Sequence, residues 1–339
     1  MQTLGAAAAG HPDYVQPRYA IDPEVECDIW VDNVRYSGPR EKVRTAAAGL
    51  DDIAKRCNIT WKPEDTFDNA QQYDFVGISF NHSTRTVQPS EKIITKLNAV
   101  DFEAPVTAGD IEALVGRLIH ASAISKVFIG SFYTPLKWAR RITNSLNRGV
   151  RSTSTVVDVP DRVRSELQRW ITLVQQPITI RHEPRDIAYT VFVDASLDGW
   201  GGVVVERSTN NIAVFGARWG PPLGGEHINV LEAAALNNVV ARLPPEAAGG
   251  RIQILVDNTT VRAVANKGVC MKNLVLNDAV VSALLHLRGM GCVCSIQWIK
   301  SAANPADAPS RVAMSSLAGV ALDGVVEQVK VFLAGRPGG

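Results

Sequence analysis

Four acidic residues in the C-terminal half of the chain stand where ordinary strand and helix patterns do not place a charge. Asp194 lies inside the strand pattern VFVDAS, Glu232 lies among apolar residues in HINVLEAAAL, Asp257 ends the apolar strand QILVD, and Asp307 opens a helix in NPADAPSR. A buried carboxylate costs several kcal/mol unless a cation compensates it. Since no Lys or Arg directly adjoins these acids, the pattern favours a bound cation.

Hard Mg²⁺ takes oxygen ligands, and two such ions about 4 Å apart need several carboxylates that converge at strand ends. Each acid also has an ordinary interpretation when it is taken alone. Asp194 would be tolerated on an edge strand, Glu232 would face solvent, and Asp257 or Asp307 would cap a helix. The joint order of strand, helix, strand end and helix start favours the metal site.

The elements around the acids predict an α/β fold. β-branched runs on both sides of Asp198-Gly199 predict a hairpin, and NIAVFGARW predicts a third strand. Helices and strands then alternate: HINVLEAAALNNVVARL, the strand RIQILVD, the helix VRAVAN, a helix near 274–288, the strand CVCSIQWI and a final helix from about Pro305. This order predicts a mixed sheet with helices on its faces.

The upstream half is predicted to be more helical. VECDIWVDNVRYSG predicts two strands with Asp32-Asn33 at the tip, followed by a helix over about 39–57. Two extended segments, DFVGISFN and TRTVQPS, flank a turn at 81–83. Residues 90–147 are predicted to be helical with breaks at Pro105 and Pro135, and a further helix is predicted over about 160–173.

Composition excludes several classes of protein. The 339 residues are 46% hydrophobic and 20% charged, which is typical of a soluble protein of two or three domains. No run of about 18 uncharged apolar residues predicts a membrane span, and the N-terminus lacks signal-peptide features, so we expect a cytoplasmic or nuclear protein rather than a secreted one. Five scattered cysteines fit a reducing compartment, with Cys292 and Cys294 as strand residues rather than metal ligands.

Charge is unevenly distributed although the net charge is only +1. Overall neutrality argues weakly against nucleic-acid binding, but residues 113–157 contain no acid and seven basic residues. These are Arg117, Lys126, Lys137, Arg140, Arg141, Arg148 and Arg151. Such a segment suits a surface that follows duplex nucleic acid, the alternative being a plain solvated face. The aromatic residues among them, including Phe132 and Tyr133, are interpreted as core rather than as stacking platforms.

Residues 188–312 resemble the ribonuclease H (RNase H) domain of retroelement reverse transcriptases, closest to DIRS-type tyrosine-recombinase retroelements and their trypanosomatid relatives. The resemblance rests on FVDASLDGWGGVV, HINVLEAAAL, LVDNTTVRAVANKG and NPADAPSR. It implies an RNase H-like mixed five-stranded sheet flanked by helices, and cleavage of the RNA strand of RNA·DNA hybrids. It also implies that two Mg²⁺ ions, activating the attacking water and stabilising the leaving 3′ oxygen, are held by Asp194, Glu232, Asp257 and Asp307.

The same resemblance implies roles for neighbouring residues. Asn258, Thr259 and Thr260 would contact phosphates or the 2′-OH of the hybrid, with plain helix capping as the equal alternative. His227 is interpreted as a packing residue. The chain departs from the pattern at Trp298, in WIKSAANPAD, where relatives often carry a His. That departure puts a proton-shuttling or product-release role at this position in doubt.

Residues 25–150 resemble, more weakly, the end of a reverse-transcriptase palm and its thumb. IWVDNVRYSG resembles the catalytic palm hairpin, with Trp30 and Asn33 at variant positions, and TAGDIEALVGRLIH resembles thumb helices. The implied organisation is a tail at 1–24, a partial palm at 25–90, a thumb at 91–150, a connection at 151–187, RNase H at 188–312, and a helix and tail at 313–339.

Polymerisation requires a second palm carboxylate, which relatives supply upstream of the hairpin. Only 31 residues precede Asp32, so we expect Asp32 to be vestigial and this chain alone not to polymerise. A fingers and palm segment of the same element is then an expected partner, beside RNA·DNA hybrid or other duplex. Three hypotheses for the whole chain stay open: an Mg²⁺-dependent RNase H, a decayed or domesticated binding module that retains the fold, and a structural subunit of a larger ribonucleoprotein, for which the sequence gives no positive signal.

Overall fold

The computed structural model describes residues 20–30, 33–61, 68–180, 184, 186–221, 223, 225–311 and 320–334. The chain divides into two compact units, one of residues 1–101, 116–126 and 171–180, and the other of residues 102–115, 127–170 and 181–339. The division passes through the segment predicted to be a thumb, and the predicted domain boundaries stay a prediction. None of the described helices combines the length and the apolar character needed to cross a membrane.

The first unit begins with the predicted hairpin. Strands β1 (Glu26–Trp30) and β2 (Asn33–Ser37) are antiparallel, with Trp30 opposite Asn33. This confirms the hairpin, while its predicted tip residue, Asp32, lies outside the described residues. Helix α1 (Arg40–Arg56) follows as predicted, directly after Pro39.

This unit also contains a four-stranded antiparallel sheet, in the order β3 (Gln72–Phe75), β4 (Ile78–Asn81), β5 (Thr86–Pro89) and β6 (Ile178–Thr179). The prediction of one extended segment over DFVGISFN is wrong. Val76 and Gly77 have φ angles of 52° and 77°, so the chain reverses there in a two-residue turn.

Four helices follow the predicted pattern with one shifted break: α2 (Glu91–Asn98), α3 (Ala108–Ile124), α4 (Tyr133–Asn147) and α5 (Asp161–Val174). Pro105 lies between helices as predicted. The break predicted at Pro135 is wrong, because this proline lies in the first turn of α4, where an N–H has no intrahelical partner to lose. The interruption falls earlier, at residues 125–128, before a 3₁₀ turn at Ile129–Phe132.

The second unit contains a five-stranded sheet in the order β11-β10-β7-β8-β9. Its strands are β7 (Ile187–Ala195), β8 (Gly199–Glu206), β9 (Ile212–Arg218), β10 (Arg251–Val256) and β11 (Val293–Trp298). Strands β7, β8 and β9 form an antiparallel meander, whereas β10 is parallel to both β7 and β11. The predicted α/β class, a mixed five-stranded sheet flanked by helices, is confirmed.

Helices cover both faces of this sheet. They are α6 (Ile228–Val240), α7 (Thr259–Lys267), α8 (Leu274–Gly289), α9 (Asp307–Arg311) and α10 (Val320–Ala334). Because strand side chains alternate, Val191 and Val193 of β7 join the core with α6, α7 and α8. Phe192 joins a second core with Val325 and Val329 of α10. The single final helix predicted from about Pro305 corresponds to α9 and α10.

Of the aromatic residues predicted to be core around α4, Phe132 and Tyr133 are buried, whereas Phe128 and Trp138 are half-buried. Phe132 stacks on Trp170 with ring centroids 4.6 Å apart and is fully buried, and Tyr133 is 8% exposed. The backbone of Gly130 in the preceding 3₁₀ turn bonds to Gly268 at 3.0 Å and accepts from Asn277 at 3.0 Å. Its missing Cβ would lie 2.5 Å from the Gly268 oxygen, so this close approach requires glycine.

Candidate metal centre

Asp194 lies in the centre of the five-stranded sheet. Strand β7 has β10 on one side and β8 on the other, so the interpretation of Asp194 as a tolerated edge-strand residue is wrong. Its side chain is buried, at 3% exposure, and accepts a hydrogen bond from the hydroxyl of Ser310. A carboxylate at this position has left water, and its charge must be compensated within the protein.

Glu232 lies on α6, between Leu231 and Ala233, which are both buried. The glutamate itself is 6% exposed, so the alternative that it faces solvent is wrong. The helix buries both of its neighbours because α6 packs against the sheet on one side and α8 on another. The apolar run HINVLEAAAL therefore carries one ionisable group into the interior.

Asp257 directly follows β10, and the helix that begins after it is capped by another residue. The N-cap of α7 is Asn258, whose Oδ1 accepts from the backbone N–H groups of Thr260 and Val261 at 2.9 and 3.1 Å. The interpretation of Asp257 as an ordinary N-cap is therefore wrong. Its carboxylate lies instead at the carboxyl end of a strand parallel and adjacent to β7.

The fold brings three of the four predicted acids together. One carboxylate oxygen from each of Asp194, Glu232 and Asp257 lies within 4.8 Å of the other two. The cluster contains no His or Cys, and oxygen-only donors suit hard divalent cations such as Mg²⁺. Elsewhere in the described part of the chain no comparable group of ligands occurs, so Cys292 and Cys294 form no such group.

Burial and the neighbouring charges raise the pKa values of Asp194 and Glu232. The pKa of Asp194 is raised from 3.8 to about 7, chiefly because burial disfavours its charged form. The hydrogen bond from Ser310 opposes the rise, and the charges of Asp257 and Asp307 add to it. The pKa of Glu232 is raised from 4.5 to about 9, again chiefly by burial, with the charges of Asp194 and Asp257 adding to the rise.

An unpartnered oxygen supports the fit of this cluster to a cation. Oε2 of Glu232 is buried and has no hydrogen-bond partner among the described residues. Such an atom is costly unless a ligand or a proton satisfies it. The converging carboxylates and this oxygen together fit a divalent cation.

Asp307 stands apart from the three clustered acids. It begins α9, and its Oδ1 accepts hydrogen bonds from Nε and Nη2 of Arg311 at 2.9 and 2.7 Å. The guanidinium of Arg311, one helical turn away, therefore compensates the charge of Asp307. The two residues are not adjacent in sequence, so the pair is evident only once the helix has formed. The charge of Asp307 nevertheless reaches Asp194, whose pKa it raises.

Glycines in β8 allow α9 and α6 to approach the sheet. A Cβ at Gly201 would lie 2.5 Å from the backbone nitrogen of Ser310 and 2.6 Å from the carbonyl oxygen of Ala306. A Cβ at Gly202 would lie 2.4 Å from Val239 of α6. The GWGG sequence therefore lets the helices that carry Asp307 and Glu232 pack closely against the sheet.

Three residues outside the predicted site also support it. Ser310 donates to Asp194, Arg311 pairs with Asp307, and Asn304 ties the loop before α9 to the sheet by donating to the carbonyl oxygen of Val193 at 2.9 Å. Asn304 is 1% exposed. All three belong to the segment NPADAPSR, so the motif contained the signal although only its acid was singled out.

The predicted hybrid-contacting residues lie at the start of α7. The amide of Asn258 donates to Oδ1 of Asn229 at 2.9 Å while its oxygen caps the helix, so the capping alternative is confirmed for Asn258. Thr259 and Thr260 are the first two residues of α7, and their nucleic-acid contacts stay a prediction. His227 is exposed and caps α6, with Nδ1 accepting from the N–H of Asn229 at 3.2 Å, so its interpretation as a packing residue is wrong.

The predicted basic residues are divided between the two units. In the first unit Arg117 is half-buried and Lys126 is exposed. In the second unit five are exposed: Lys137, Arg140, Arg141, Arg148 and Arg151. Lys137 also donates to the hydroxyl of Tyr133 at 2.8 Å. Nucleic-acid contact by these side chains stays a prediction.

No protein-family model and no curated protein matches the sequence. Solved structures similar to the chain include foamy viral protease-reverse transcriptase dRH in complex with double-stranded DNA, at 9% identity and a TM-score of 0.38 over 80% of this chain and 46% of that one. Another is the N-terminal RNase H domain of a Mycobacterium tuberculosis protein, at 17% identity and a TM-score of 0.32 over 42% of this chain and 99% of that one. A third is RNase H1 of Halobacterium salinarum, at 21% identity and a TM-score of 0.30 over 40% of this chain and 96% of that one.

The present chain thus spans less than half of the foamy viral chain that it matches. At identities of 21% or less and TM-scores of 0.38 or less, these similarities carry no information about activity.

Proposed function

We propose that residues 188–312 form an Mg²⁺-dependent ribonuclease H that cleaves the RNA strand of RNA·DNA hybrids. The observation that carries the proposal is the convergence of Asp194, Glu232 and Asp257, whose oxygens lie within 4.8 Å of one another, with Asp194 and Glu232 buried and Asp257 half-buried. In the described residues, the ion pair of Arg311 with Asp307 lies outside this cluster, so it does not directly pair any of the three clustered carboxylates.

The four acids would coordinate two ions between them. Asp194, Glu232 and Asp257 would provide one set of oxygens, with Asp307 contributing to a second ion. Bound ions would supply Lewis acidity for water attack on the phosphodiester and for departure of the 3′ oxygen. The unpartnered Oε2 of Glu232 supports this assignment, since it needs either a proton or a cation.

The remaining contribution of the chain is preorganisation. Ser310 fixes the orientation of Asp194 through its hydrogen bond, and Asn304 fixes the loop that leads into α9. Small residues in β8 let α9 lie against the sheet. Ligands held in place before the cation and substrate arrive lose little conformational freedom on binding.

Substrate specificity for RNA in a hybrid is supported by the motif resemblance of residues 188–312. The exposed side chains of Lys137, Arg140 and Arg141 on α4 lie in the same unit as the carboxylates and would neutralise phosphates of the duplex. We further propose that the chain derives from a DIRS-like retroelement, with residues 25–150 as a palm and thumb remnant that lacks polymerase activity.

The test compares cleavage of an RNA·DNA hybrid with that of RNA·RNA and DNA·DNA duplexes of the same sequence, with Mg²⁺ or with EDTA. Wild-type protein is expected to cut only the RNA of the hybrid, and only with the cation. Asp194→Asn should lower the rate at least about a hundredfold, since even partners of ligands cost 10- to 100-fold. Asp198→Asn is the matched control, because Asp198 is exposed in the adjacent turn.

Equal cleavage by wild type and Asp194→Asn would show a contaminating nuclease and refute the proposal. Hybrid binding without cleavage by either protein would instead support the alternative of a binding module. Primer extension on an RNA template with dNTPs separately tests the polymerase prediction, and any templated product would contradict it.

A further inference from the structure

Arg311 is the last residue of α9 and lies one helical turn after Asp307. Its Nε and Nη2 donate to the same carboxylate oxygen, Oδ1 of Asp307, at 2.9 and 2.7 Å. The guanidinium side chain is 64% exposed and the carboxylate side chain 38% exposed. An ion pair this exposed contributes little to stability, so its presence beside the carboxylate cluster calls for another explanation.

The charge of Arg311 also acts on the clustered acids. Hydrogen bonding to Asp307 is the largest cause that raises the pKa of the guanidinium, and the charges of Asp194 and Asp257 raise it further. In the reverse direction, Arg311 lowers the pKa of Asp194. The guanidinium therefore lies within electrostatic reach of three of the four predicted ligands, on the side of the site where Asp307 stands.

A divalent cation at Asp307 would compete with this arrangement. An oxygen that accepts two N–H groups has little capacity left for a metal ion, and a fixed positive charge repels a second one. Binding of an ion at Oδ1 thus requires the guanidinium to move away. Its exposure and its position at the end of a short helix leave it room to do so.

We infer that Arg311 is a positioning residue that serves as the resident cation of the carboxylate site: it holds Asp307 while the second ion is absent and weakens binding of that ion. The inference rests on the proposed function, because it assumes that the carboxylates bind divalent cations. Its consequence is a second ion that binds more weakly than the first and can leave with the product.

The test measures Mn²⁺ and Mg²⁺ binding to the full chain by titration calorimetry without nucleic acid. Arg311→Gln removes the charge, and Arg311→Lys keeps it as the matched control. Arg311→Gln is expected to bind the weaker ion roughly three- to tenfold more tightly, as loss of an exposed repulsive charge a few ångströms away predicts. Arg311→Lys is expected to bind it with nearly wild-type affinity, and high salt should reduce the difference between the two.

A purely structural role for Arg311 would leave ion affinity unchanged or weaken it in Arg311→Gln, and either result would overturn the inference. Arg311→Met is a second neutral variant in case the first unfolds, which near-UV circular dichroism would reveal. If wild type binds and cleaves as proposed but the neutral variants bind ions like wild type, only this inference fails. If wild type binds no divalent cation, the proposed function fails with it.

Discussion

The indole Nε1 of Trp298 donates a hydrogen bond of 2.9 Å to the backbone carbonyl oxygen of Asp257. Trp298 ends β11 and lies opposite Val256 in the parallel pairing with β10, so the bond joins the carboxyl ends of two neighbouring strands. From the sequence, Trp298 was only a departure from a pattern that often carries His. The structure instead places it against the backbone of a predicted metal ligand.

Replacement of Trp298 by Phe is expected to weaken the site without unfolding the protein. Phenylalanine keeps an aromatic ring but lacks the indole N–H, so the hydrogen bond to Asp257 is lost. This costs about 1 kcal/mol or less at a side chain that is 44% exposed. We expect a several-fold loss of divalent-ion affinity and of hybrid cleavage. Calorimetry and cleavage assays measure these effects, and unchanged ion affinity would show that the bond does not position Asp257.

Stability of the cation-free protein should fall as pH rises from about 5 to about 9. The folded-state pKa of Glu232, about 9, lies above its ordinary value of 4.5. Between these pH values the folded state holds a proton that the unfolded state has lost, so deprotonation favours unfolding. Glu232→Gln should flatten this dependence and be more stable than wild type at pH 9 by at least about 1 kcal/mol.

Urea unfolding in EDTA at pH 5, 7 and 9 measures that effect. Glu246→Gln is the matched control, because Glu246 is exposed and its loss should leave the pH dependence of wild type in place. A Glu232→Gln variant that loses stability with pH as steeply as wild type does would contradict the prediction.

Binding of a divalent cation should release protons near neutral pH. The pKa values of Asp194 and Glu232 are about 7 and about 9, so a cation that needs both carboxylates ionised must displace protons. Ion affinity should therefore rise from pH 6 to pH 8, by up to about tenfold per pH unit for each proton released. Calorimetry in buffers of different ionisation enthalpy measures the release, and none at pH 7 would refute the prediction.

Gly201→Ala should damage both stability and cleavage. The new methyl group would meet backbone atoms of Ser310 and Ala306 at 2.5 and 2.6 Å, and displacement of α9 would shift Asp307. A loss of about 1–3 kcal/mol in the free energy of unfolding is expected. Gly289→Ala is the control, because nothing lies within 4 Å of a methyl group there. Equal behaviour of the two variants would argue against the close approach.

Much of the fold was predictable because its signals are local. The β-branched runs of β7 and β8 and the apolar spacing of α6 predict these elements without knowledge of the rest of the chain. The turn at Val76 and Gly77 was not predicted, because a β-branched residue such as Val76 rarely adopts a positive φ angle. The surrounding apolar residues favour a continuous strand instead. The helix boundary at Tyr133 was missed for another reason: a proline breaks a helix only beyond its first turn.

The site residues likewise include some that the local sequence predicts and some that it does not. Asp194, Glu232, Asp257 and Asp307 stood out because each is a charge in an apolar or helix-starting pattern, and that is a property of neighbouring residues. The capping role of Asn258 follows from local chemistry too. The pairing of Arg311 with Asp307 is not predictable from adjacency in sequence, since it depends on α9 beginning at Asp307.

The sequence by itself determined which acids were out of place and what strands and helices carry them. Only the tertiary structure decided that the carboxylates of Asp194, Glu232 and Asp257 lie close together, while Asp307 forms an ion pair with Arg311. The reason is that β10 inserts beside β7 in parallel and α6 packs against the sheet, which brings residues distant along the chain into contact. The burial of Asp194 and Glu232, and hence their raised pKa values, follows from packing that no local pattern contains.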